Sequence, residues 1–411
     1  MDSIAGGSGD TPWLTLIGLG DDGPAGLAPR ARERLAAAEA VFGGRRHLEL
    51  LPEGAGQERI PWPSPLEEAV PWLRARRGRP VAVLASGDPQ WYGIGATLGR
   101  HFAPEEMEVV PAPSAFSLAA ARMGWPLQST RCLSVHARPL EAVRPWLHDG
   151  ARLLVLGHDG ATPAELAQLL TRAGFGPSTV TALEHLGGSA ERRREAPAEA
   201  WPEPEVAALN TVAIDCRAGP GARPVAAVAG RPEADFEHDG AISKREVRAA
   251  LLAHLAPGRG ERLWDVGAGS GSVAVEWCLA DPDNTAIAVE PRADRAERIR
   301  ANAAALGAPA VACIQGRAPE ALADLPPPDA VFIGGGLTRT GLLAACLEAL
   351  PPGGRLVASS VTVEGDAILA GALAEHGGEL VRIAVDRAAP LGGLTGWEPL
   401  RPVTLWSLRR P

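Results

Sequence analysis

The sequence contains few of the side chains that nucleic-acid recognition requires. Aromatic residues make up 4% of the 411 residues, and Tyr92 is the only tyrosine. Acidic residues outnumber basic ones by 49 to 40, so the formal net charge is −9. Nucleic-acid binders usually present a basic face together with aromatic side chains on which bases stack. We therefore expect no nucleic-acid partner.

Cysteine is also scarce, and its spacing does not suit a disulfide framework or a metal site. The five cysteines are widely scattered, and no C-x-x-C pair occurs. Isolated cysteines of this kind are typical of small core residues in a reducing compartment. We expect free thiols and no bound metal.

Long hydrophobic runs are absent. No apolar run reaches the length of about 18 residues that a membrane-spanning helix needs. The first residues, MDSIAGGSGDTPW, have neither the basic nor the apolar region of a signal peptide. We expect no membrane association and a cytoplasmic location.

The chain is rich in short elements and turns. Hydrophobic residues make up 46%, and 48 glycines and 38 prolines indicate many tight connections. Strand-like runs begin and end the first half, at 13–20 and 210–216. The length and this pattern predict two domains, 12–216 and 235–411, joined by a Pro-, Gly- and Ala-rich linker, 217–234.

Both halves mix strands with helices, so the predicted fold class is α/β. The regular alternation in the second half predicts a doubly wound, Rossmann-like domain with helices on both faces of a seven-stranded sheet. Its last two strands have no helix of matching length between them, which favours an antiparallel edge hairpin. The seven strands predicted there are 262–267, 286–290, 311–316, 330–335, 355–361, 380–386 and 402–408. The seven predicted in the first half are 13–18, 81–85, 107–111, 131–136, 152–157, 179–184 and 210–215, with a break between two lobes at 111–113.

The stretch LWDVGAGSGS (263–272) is the most informative of the second half. A buried strand ends at Asp265-Val266, and a glycine loop, Gly267 to Gly271, leads into a helix. Glycines are needed where backbone approaches a ligand closely. Glu290 ends the next strand, where a carboxylate can accept both hydroxyls of a ribose. Ser272 stands where a dinucleotide-binding loop needs its third glycine, which disfavours a nicotinamide oxidoreductase.

This half resembles the class I S-adenosyl-L-methionine methyltransferases. The resemblance rests on the D-x-G-x-G-x-G loop, the acidic strand end, GRAPE (316–320) and FIGGG (332–336). A motif such as N-P-P-Y, used on amide or amine substrates, is absent, which indicates an electron-rich carbon nucleophile. The cofactor-binding residues that the resemblance implies are Gly267, Ala268, Gly269, Ser270, Gly271, Glu290, Arg317, Ala318 and Gly334.

The segment FEHDGAISKREVRAAL (236–251) precedes this loop. Ser243 and Glu246 have the spacing of a capping box at the start of a helix. Lys244, the only lysine, would stand at the exposed first turn, where a compact cation suits a carboxylate of cofactor or substrate. We predict cofactor binding by Ser243 and substrate binding by Lys244 and Arg245. His238 is the candidate acid or base. We interpret its acidic neighbours as part of a polar loop rather than as metal ligands.

The first half contains three glycine- or serine-bearing loops. The first, LIGLGDDGPAGLAP (16–29), has a formal G-x-G-x-x-G, but two prolines prevent the helix that a dinucleotide site requires. The others are ASGDPQWYGIG (85–95) and PAPSAFSLAAARMG (111–124). Together they resemble the tetrapyrrole (class III) methylases, although Asp21-Asp22-Gly23 replaces the usual P-G after the second glycine. The resemblance implies S-adenosyl-L-methionine between two lobes, held by Gly18, Gly20, Gly87, Asp88, Ser114 and Ala115, with Tyr92 contacting substrate.

The combination of the two halves resembles the fused methyltransferases of corrin-ring (vitamin B12) synthesis. It implies that the first half methylates C5 of precorrin-6B, and that the second removes CO2 from the C12 acetate and methylates C15, giving precorrin-8X. It further implies two S-adenosyl-L-methionine sites, a metal-free substrate and a homo-oligomer. A substrate with many carboxylates predicts a local basic rim, for which the candidates are Arg45, Arg46, Arg138, Lys244 and Arg245.

Two other functions stay open at this point. One is a class I methyltransferase that acts on RNA or protein, with the first half as a specificity domain. The other is a non-catalytic scaffold that senses the cofactor. The sequence does not establish the order of the two methylations or whether the substrate contains cobalt.

Overall fold

The computed structural model describes residues 12–53, 56–202, 206–222, 224–225 and 228–411. The chain divides into two compact units, one formed by residues up to 140 and from 148 to 223, the other by residues 141–147 and from 224 onwards. The predicted domain boundaries and linker stay predictions. We expected no signal peptide at the start of the sequence. Residues 1–11 of that segment lie outside the described residues.

A parallel sheet forms the first lobe of the first unit. Its strands are β1 (Leu14–Leu19), β2 (Ala40–Gly43), β3 (Glu58–Pro61), β4 (Val81–Ser86) and β5 (Met107–Val110). Its helices are α1 (Pro29–Ala37), α2 (Arg45–Glu49), α3 (Ala69–Arg74) and α4 (Ile94–Leu98). The strand order is β3-β2-β4-β1-β5, with every neighbouring pair parallel. The carboxyl ends of all five strands therefore lie at one edge.

The second lobe contains a mixed sheet. Its elements are α5 (Ala115–Met123), β6 (Arg131–Ser134), β7 (Arg152–Leu156), α6 (Thr162–Arg172), β8 (Thr179–Glu184), β9 (Arg192–Pro197) and β10 (Asn210–Asp215). The strand order is β6-β7-β10-β8-β9. β10 is antiparallel to both β7 and β8, and β6 is parallel to β7, so β6, β7 and β8 share one direction. The predicted two-lobed fold is confirmed.

Three strands of the first unit escaped sequence prediction. β2 has only four residues, all buried, so it shows no alternation. β3 is largely exposed and ends in proline, while β9 reads RRREAP, in which polar residues dominate. Short or polar strands carry little periodic signal, and only their pairing with neighbours identifies them.

The second unit is doubly wound, as predicted. Its strands are β11 (Arg262–Val266), β12 (Thr285–Glu290), β13 (Val311–Gln315), β14 (Ala330–Ile333), β15 (Arg355–Ser360), β16 (Glu379–Ile383), β17 (Asp386–Leu391), β18 (Leu394–Pro399) and β19 (Val403–Arg409). Its helices are α7 (Arg245–Leu255), α8 (Ser272–Ala280), α9 (Ala293–Leu306), α10 (Leu342–Ala349) and α11 (Val363–His376). The seven-stranded sheet has the order β13-β12-β11-β14-β15-β19-β16.

The end of this sheet differs from the prediction in one respect. β16 and β19 pair antiparallel, as expected, and β19 also pairs antiparallel with β15. The chain does not pass directly between them, however, because β17 and β18 form a separate two-stranded hairpin there.

Helices cover both faces of the second sheet. Leu251 of α7, Val275 of α8 and Ile299 of α9 pack with Leu263 on one face. On the other face, residues of α10 and α11 pack with Trp264, the next residue along β11. Adjacent strand residues point to opposite faces, so both are buried, which explains the continuous apolar runs of these strands. Among the described residues, no helix is both long and apolar enough to span a membrane.

Candidate active site

A cavity of about 710 Å³ opens at the carboxyl ends of β11, β12 and β14 in the second unit. Most of the site residues predicted for this unit line it. They are Ser243, Lys244, Gly267, Ala268, Gly269, Ser270, Glu290, Arg317, Ala318 and Gly334. Gly271, Arg245 and His238 are not among the lining residues. The sequence therefore located the cavity, at the position that doubly wound sheets favour.

The glycine loop between β11 and α8 allows close backbone approach. Gly267, Gly269 and Gly271 all have positive φ, between 61° and 73°. A Cβ on Gly267 would lie 2.6 Å from Cα of Gly335, in the loop after β14. A Cβ on Gly271 would lie 3.0 Å from the Ile299 side chain. Gly271 thus serves packing behind the loop, while the backbone of Gly267 to Ser270 faces the cavity.

Glu290 is buried and fixed next to this loop. Its Oε2 accepts a hydrogen bond from the Gly269 amide at 2.9 Å, and its Oε1 accepts one from the Arg292 amide at 3.1 Å. Each carboxylate oxygen has a second lone pair. The group can therefore also accept the two hydroxyls of a ribose in the cavity.

Two further buried polar groups lie by the loop. Ser270 lines the cavity, and its buried hydroxyl has no hydrogen-bond partner in the described chain. At the end of β11, Asp265 accepts from the Ala274 amide through Oδ2 at 3.1 Å, while its Oδ1 has no partner. Burial, with the charge of Glu290 adding to it, raises the pKa of Asp265 to about 7. A polar ligand in the cavity would satisfy the Ser270 hydroxyl.

The predicted capping box before α7 is wrong. The helix begins at Arg245 with Lys244 at the N-cap position, and no side chain caps it. The Ser243 carbonyl instead accepts from the Arg248 guanidinium at 2.5 Å. The Glu246 carboxylate accepts from Arg387, which follows the start of β17, at 2.6 Å. The helix thus begins one residue later than the spacing of Ser243 and Glu246 predicts, and a tertiary contact with Arg387 holds the Glu246 carboxylate.

His238 and its acidic neighbours form an exposed polar loop. The Nδ1 atom of His238 accepts from the Gly240 amide at 3.0 Å. Asp239 is engaged by Arg295 at 2.9 Å, and this hydrogen bond lowers the pKa of Asp239 to about 2. Because His238 does not line the cavity, its proposed acid–base role stays a prediction.

The charged residues of the cavity lining are mostly basic, and many of the other lining residues are apolar. Three lining arginines were missed by the sequence analysis: Arg295, Arg339 and Arg401. Together with Lys244 and Arg317 they give five cations against one carboxylate, Glu290. The apolar lining includes Phe332, Ile383, Val385, Leu400 and Val403. Such a surface suits an apolar ring that carries carboxylate groups.

In the first unit, the three predicted loops meet at the carboxyl edge of the parallel sheet. The Gly87 amide donates to the Leu19 carbonyl at 3.1 Å, and the Ala112 amide donates to the Gly87 carbonyl at 3.2 Å. A Cβ on Gly18 would lie 2.0 Å from that carbonyl oxygen. A Cβ on Gly87, whose φ is +58°, would lie 2.8 Å from Cα of Ser114. Only glycine fits at these two positions.

The remaining predicted residues of the first unit have defined local roles. Ser114 is buried and accepts from the Ser117 amide at 3.1 Å, so it caps α5, whose first residue is Ala115. Asp88 accepts from the Gln90 amide at 2.9 Å. Tyr92 is exposed, and the Arg138 guanidinium lies 5.2 Å from the centre of its ring. Gly20 follows β1 directly, where a Cβ would lie 2.5 Å from Oδ1 of Asp22.

The candidate rim residues differ in their surroundings. Arg45 and Arg245 are exposed, and Lys244 is half-buried in the cavity wall. Arg46 is paired with Asp21 at 2.7 Å and also donates to Ser86. An arginine already held by a carboxylate is less available to a substrate.

Comparison with known proteins covers both units. The family of tetrapyrrole (corrin/porphyrin) methylases matches residues 13–201, and the family described as precorrin methyltransferase domain matches residues 234–410. A precorrin-6Y C(5,15)-methyltransferase (decarboxylating) from Sinorhizobium sp is 52% identical over 397 residues, which are 97% of this chain and 96% of that protein. Its counterpart in Mycobacterium tuberculosis (strain CDC 1551 / Oshkosh) is 45% identical over 401 residues, 97% of this chain and 100% of that protein.

Solved structures also match parts of the chain. The crystal structure of the C-terminal domain of precorrin-6Y C5,15-methyltransferase from Rhodobacter capsulatus is 52% identical, with a TM-score of 0.43, and the match covers 45% of this chain and 100% of that one. The identities over nearly the full length of both relatives settle the family. The chain belongs to the family of decarboxylating precorrin-6Y C(5,15)-methyltransferases.

Proposed function

We propose that this chain transfers two methyl groups to precorrin-6B, at C5 and C15, and removes CO2 from its C12 acetate. The product is precorrin-8X of corrin-ring synthesis, and the substrate is metal-free. The observation that supports this most is the 52% identity to a precorrin-6Y C(5,15)-methyltransferase (decarboxylating) over 97% of the chain. The first unit methylates C5, and the second carries out decarboxylation and C15 methylation.

Methyltransferases of this family use S-adenosyl-L-methionine, which supplies a methyl group activated by a positively charged sulfur. We place one such site in each unit. In the second unit, the Gly267–Ser270 backbone would face the bound molecule, Glu290 would accept from its ribose, and Ala318 would contact its adenine. In the first unit, the converging loops at Gly18 and Gly20, Gly87 and Asp88, and Ser114 and Ala115 hold the second molecule.

The side chains of the second cavity mainly position the substrate. Enamine-like ring carbons are nucleophiles already, so alignment with the methyl group supplies much of the rate enhancement. Lys244, Arg339 and Arg401 hold substrate carboxylates at the basic part of the lining. The apolar part, near Phe332 and Val403, excludes water from the carboxylate that is lost.

The chain acts as a homo-oligomer in the cytoplasm. The β17–β18 hairpin supports self-association, because Leu391, Leu394 and Trp397 are 69%, 79% and 77% exposed. Clustered exposed apolar side chains mark interaction surfaces.

The decisive experiment is mass spectrometry of precorrin-6B after incubation with the purified chain and S-adenosyl-L-methionine. Two methyl transfers add about 28 Da and loss of CO2 removes about 44 Da, so the expected net change is about −16 Da. An unchanged mass with competent substrate would contradict the proposal and bring forward methylation of RNA or protein.

Two variants assign the reactions to the units. Glu290→Ala removes the ribose acceptor of the second cavity and should leave a gain of about 14 Da, one methyl. Asp88→Ala in the first unit should leave a net loss of about 30 Da, one methyl gained and CO2 lost. If the two variants instead gave each other's mass changes, C5 methylation would belong to the second unit and C15 methylation with CO2 loss to the first.

A further inference from the structure

A hydrogen-bonded pair joins the two lobes of the first unit. Asp21 lies two residues after β1, and His185 directly follows β8, each at the carboxyl end of its strand. Nδ1 of His185 lies 3.0 Å from Oδ2 of Asp21. An ionised carboxylate only accepts hydrogen bonds, so Nδ1 donates. The neutral imidazole therefore carries its lone pair on Nε2.

Asp21 is itself held in place from two sides. Its Oδ1 accepts from the Arg46 guanidinium at 2.7 Å, and its side chain is only 15% exposed. The loop after His185 packs closely on the other oxygen, since a Cβ on Gly188 would lie 2.5 Å from Oδ2. Arg46 thus positions Asp21, and Asp21 positions the imidazole.

The backbone holds His185 in an unusual conformation. Its φ is +49°, a left-handed value that a residue with a Cβ seldom adopts. The His185 amide donates to the Leu209 carbonyl at 3.1 Å, and its carbonyl accepts from the Gly188 amide at 2.9 Å. The side chain is one-third exposed, and Nε2 has no hydrogen-bond partner within the described chain. This ring nitrogen is available to a ligand.

The same loop lies beside the predicted cofactor loops. A Cβ on Gly187 would lie 3.4 Å from the Leu118 side chain in α5, the helix that Ser114 caps. Gly20 and Asp21 are adjacent in the loop after β1. The Asp21–His185 pair is therefore next to the loops to which we assign the cofactor of the first unit.

Methylation of a ring carbon that bears hydrogen requires a proton acceptor. Substrate C5 forms a bond to the methyl carbon, and the methyl–sulfur bond breaks with its electron pair going to sulfur. The substrate is left positively charged until the C5 proton leaves and the C–H electron pair returns to the conjugated ring. We infer that Nε2 of His185 accepts this proton, that the Asp21 carboxylate stabilises the resulting imidazolium, and that water then takes the proton away.

The other carboxylates near His185 are engaged elsewhere. Glu184 is bound by Arg192 and Arg194, and the Arg192 hydrogen bond lowers its pKa to about 2. Glu191 is bound by Arg122, which lowers its pKa, and accepts from the Gly187 amide at 2.7 Å. Asp21, with Arg46 behind it, is thus the charged group that faces the imidazole.

The test is His185→Gly in the full-length chain. Because φ is positive, glycine keeps the backbone conformation and removes only the imidazole. The inference rests on the proposed function, so both methyl transfers are followed in single turnovers, with their positions assigned by NMR. We expect C5 methylation to slow about 100-fold while C15 methylation and CO2 loss are unchanged. Added imidazole should restore part of the C5 rate.

Controls separate a chemical role from a structural one. His148→Gln changes an exposed histidine of the same unit and should leave both rates unchanged. Asp21→Asn keeps an acceptor oxygen but removes the charge, and should slow C5 methylation less than His185→Gly does. The pH dependence of the C5 rate should differ between the wild-type chain and His185→Gly.

The outcomes are distinguishable. A His185→Gly rate equal to wild type overturns the inference. So does a slow variant that imidazole does not rescue and whose pH profile is that of wild type, because that result indicates a structural role. If the wild-type chain transfers neither methyl group to precorrin-6B, the proposed function fails and the inference fails with it.

Discussion

Asp265 illustrates how much a single buried carboxyl group can lower the free energy of unfolding. It is 1% exposed at the end of β11, and only one of its oxygens accepts a hydrogen bond. Its charged form is disfavoured by burial, which is why its pKa rises from 3.8 to about 7. The folded chain therefore binds this proton more tightly than the unfolded chain does.

We predict that Asp265→Asn stabilises the protein more at pH 8 than at pH 4. Below pH 4 the carboxyl group is protonated in both states and carries no penalty. As the pH rises towards 7 the unfolded chain releases the proton first, so the free energy of unfolding falls, by roughly 4 kcal/mol in total at pH 8. Chemical denaturation of both proteins across this pH range measures the difference. An equal difference at both ends of the range would contradict the pKa shift.

At the scale of elements, a buried ion pair attaches the segment before α7 to the second unit. Arg248 of α7 donates to Glu276 of α8 at 2.8 Å, and both side chains are almost fully buried. Glu276 also accepts from the amides of Gly230 and Arg231 at 2.8 and 2.9 Å. The Arg248 guanidinium further donates to the carbonyls of Ser243 and Arg231. One pair thus joins two helices and the chain that leads to them.

We predict that Glu276→Gln lowers the free energy of unfolding of the second unit by about 3 kcal/mol or more, because Arg248 stays buried without its counter-charge. Hydrogen exchange measured on peptides from α7 and α8 reports the loss locally. Asp294→Asn, which breaks an exposed pair with Arg292, is the matched control and should change exchange little. Equal effects of the two variants would show that burial does not strengthen the first pair.

On the scale of the whole molecule, the hairpin formed by β17 and β18 presents apolar side chains to solvent. Arg387 fixes its base through Glu233 and Glu246 at 2.8 and 2.6 Å. Its tip carries Leu391 and Leu394, and Trp397 lies opposite Ala388 near the base; all three apolar side chains are exposed. A rigid base with an apolar tip suits contact with another copy of the chain.

We predict that Leu394→Ser with Trp397→Ser reduces the molar mass in solution to that of a single chain, as measured by light scattering after size-exclusion chromatography. Val363→Ser removes an equally exposed apolar side chain from the start of α11 and should leave the assembly intact. A wild-type protein that is already a single chain would contradict the proposed oligomer.

The glycine- and serine-bearing loops that we propose as ligand sites were the part of this protein that could best be predicted from the sequence. The loop LWDVGAGSGS combines a buried strand, positive-φ glycines and a helix start, all of which are local properties. The same holds for Gly87 and Ser114. The seven main strands of the second unit were also found, since burial on both faces gives long apolar runs.

Contacts between residues that are distant in the sequence could not be predicted from it. Arg339 and Arg401 join the cavity lining through the positions of β14 and β19 in the sheet, and no local pattern marks them. His185 meets Asp21 across 164 positions of sequence. The Glu246 carboxylate of the expected capping box likewise binds Arg387, which is 141 positions away in the sequence.

The sequence by itself determined the α/β class, the family, and the backbone loops that we propose as ligand sites, because these depend on periodicity and on glycine at defined steps along the chain. Only the tertiary structure decided which charged side chains surround those loops. Ion pairs and hydrogen bonds form between whichever groups the packed strands and helices bring within about 3 Å. That distance is set by the order of strands in the sheets rather than by spacing along the chain.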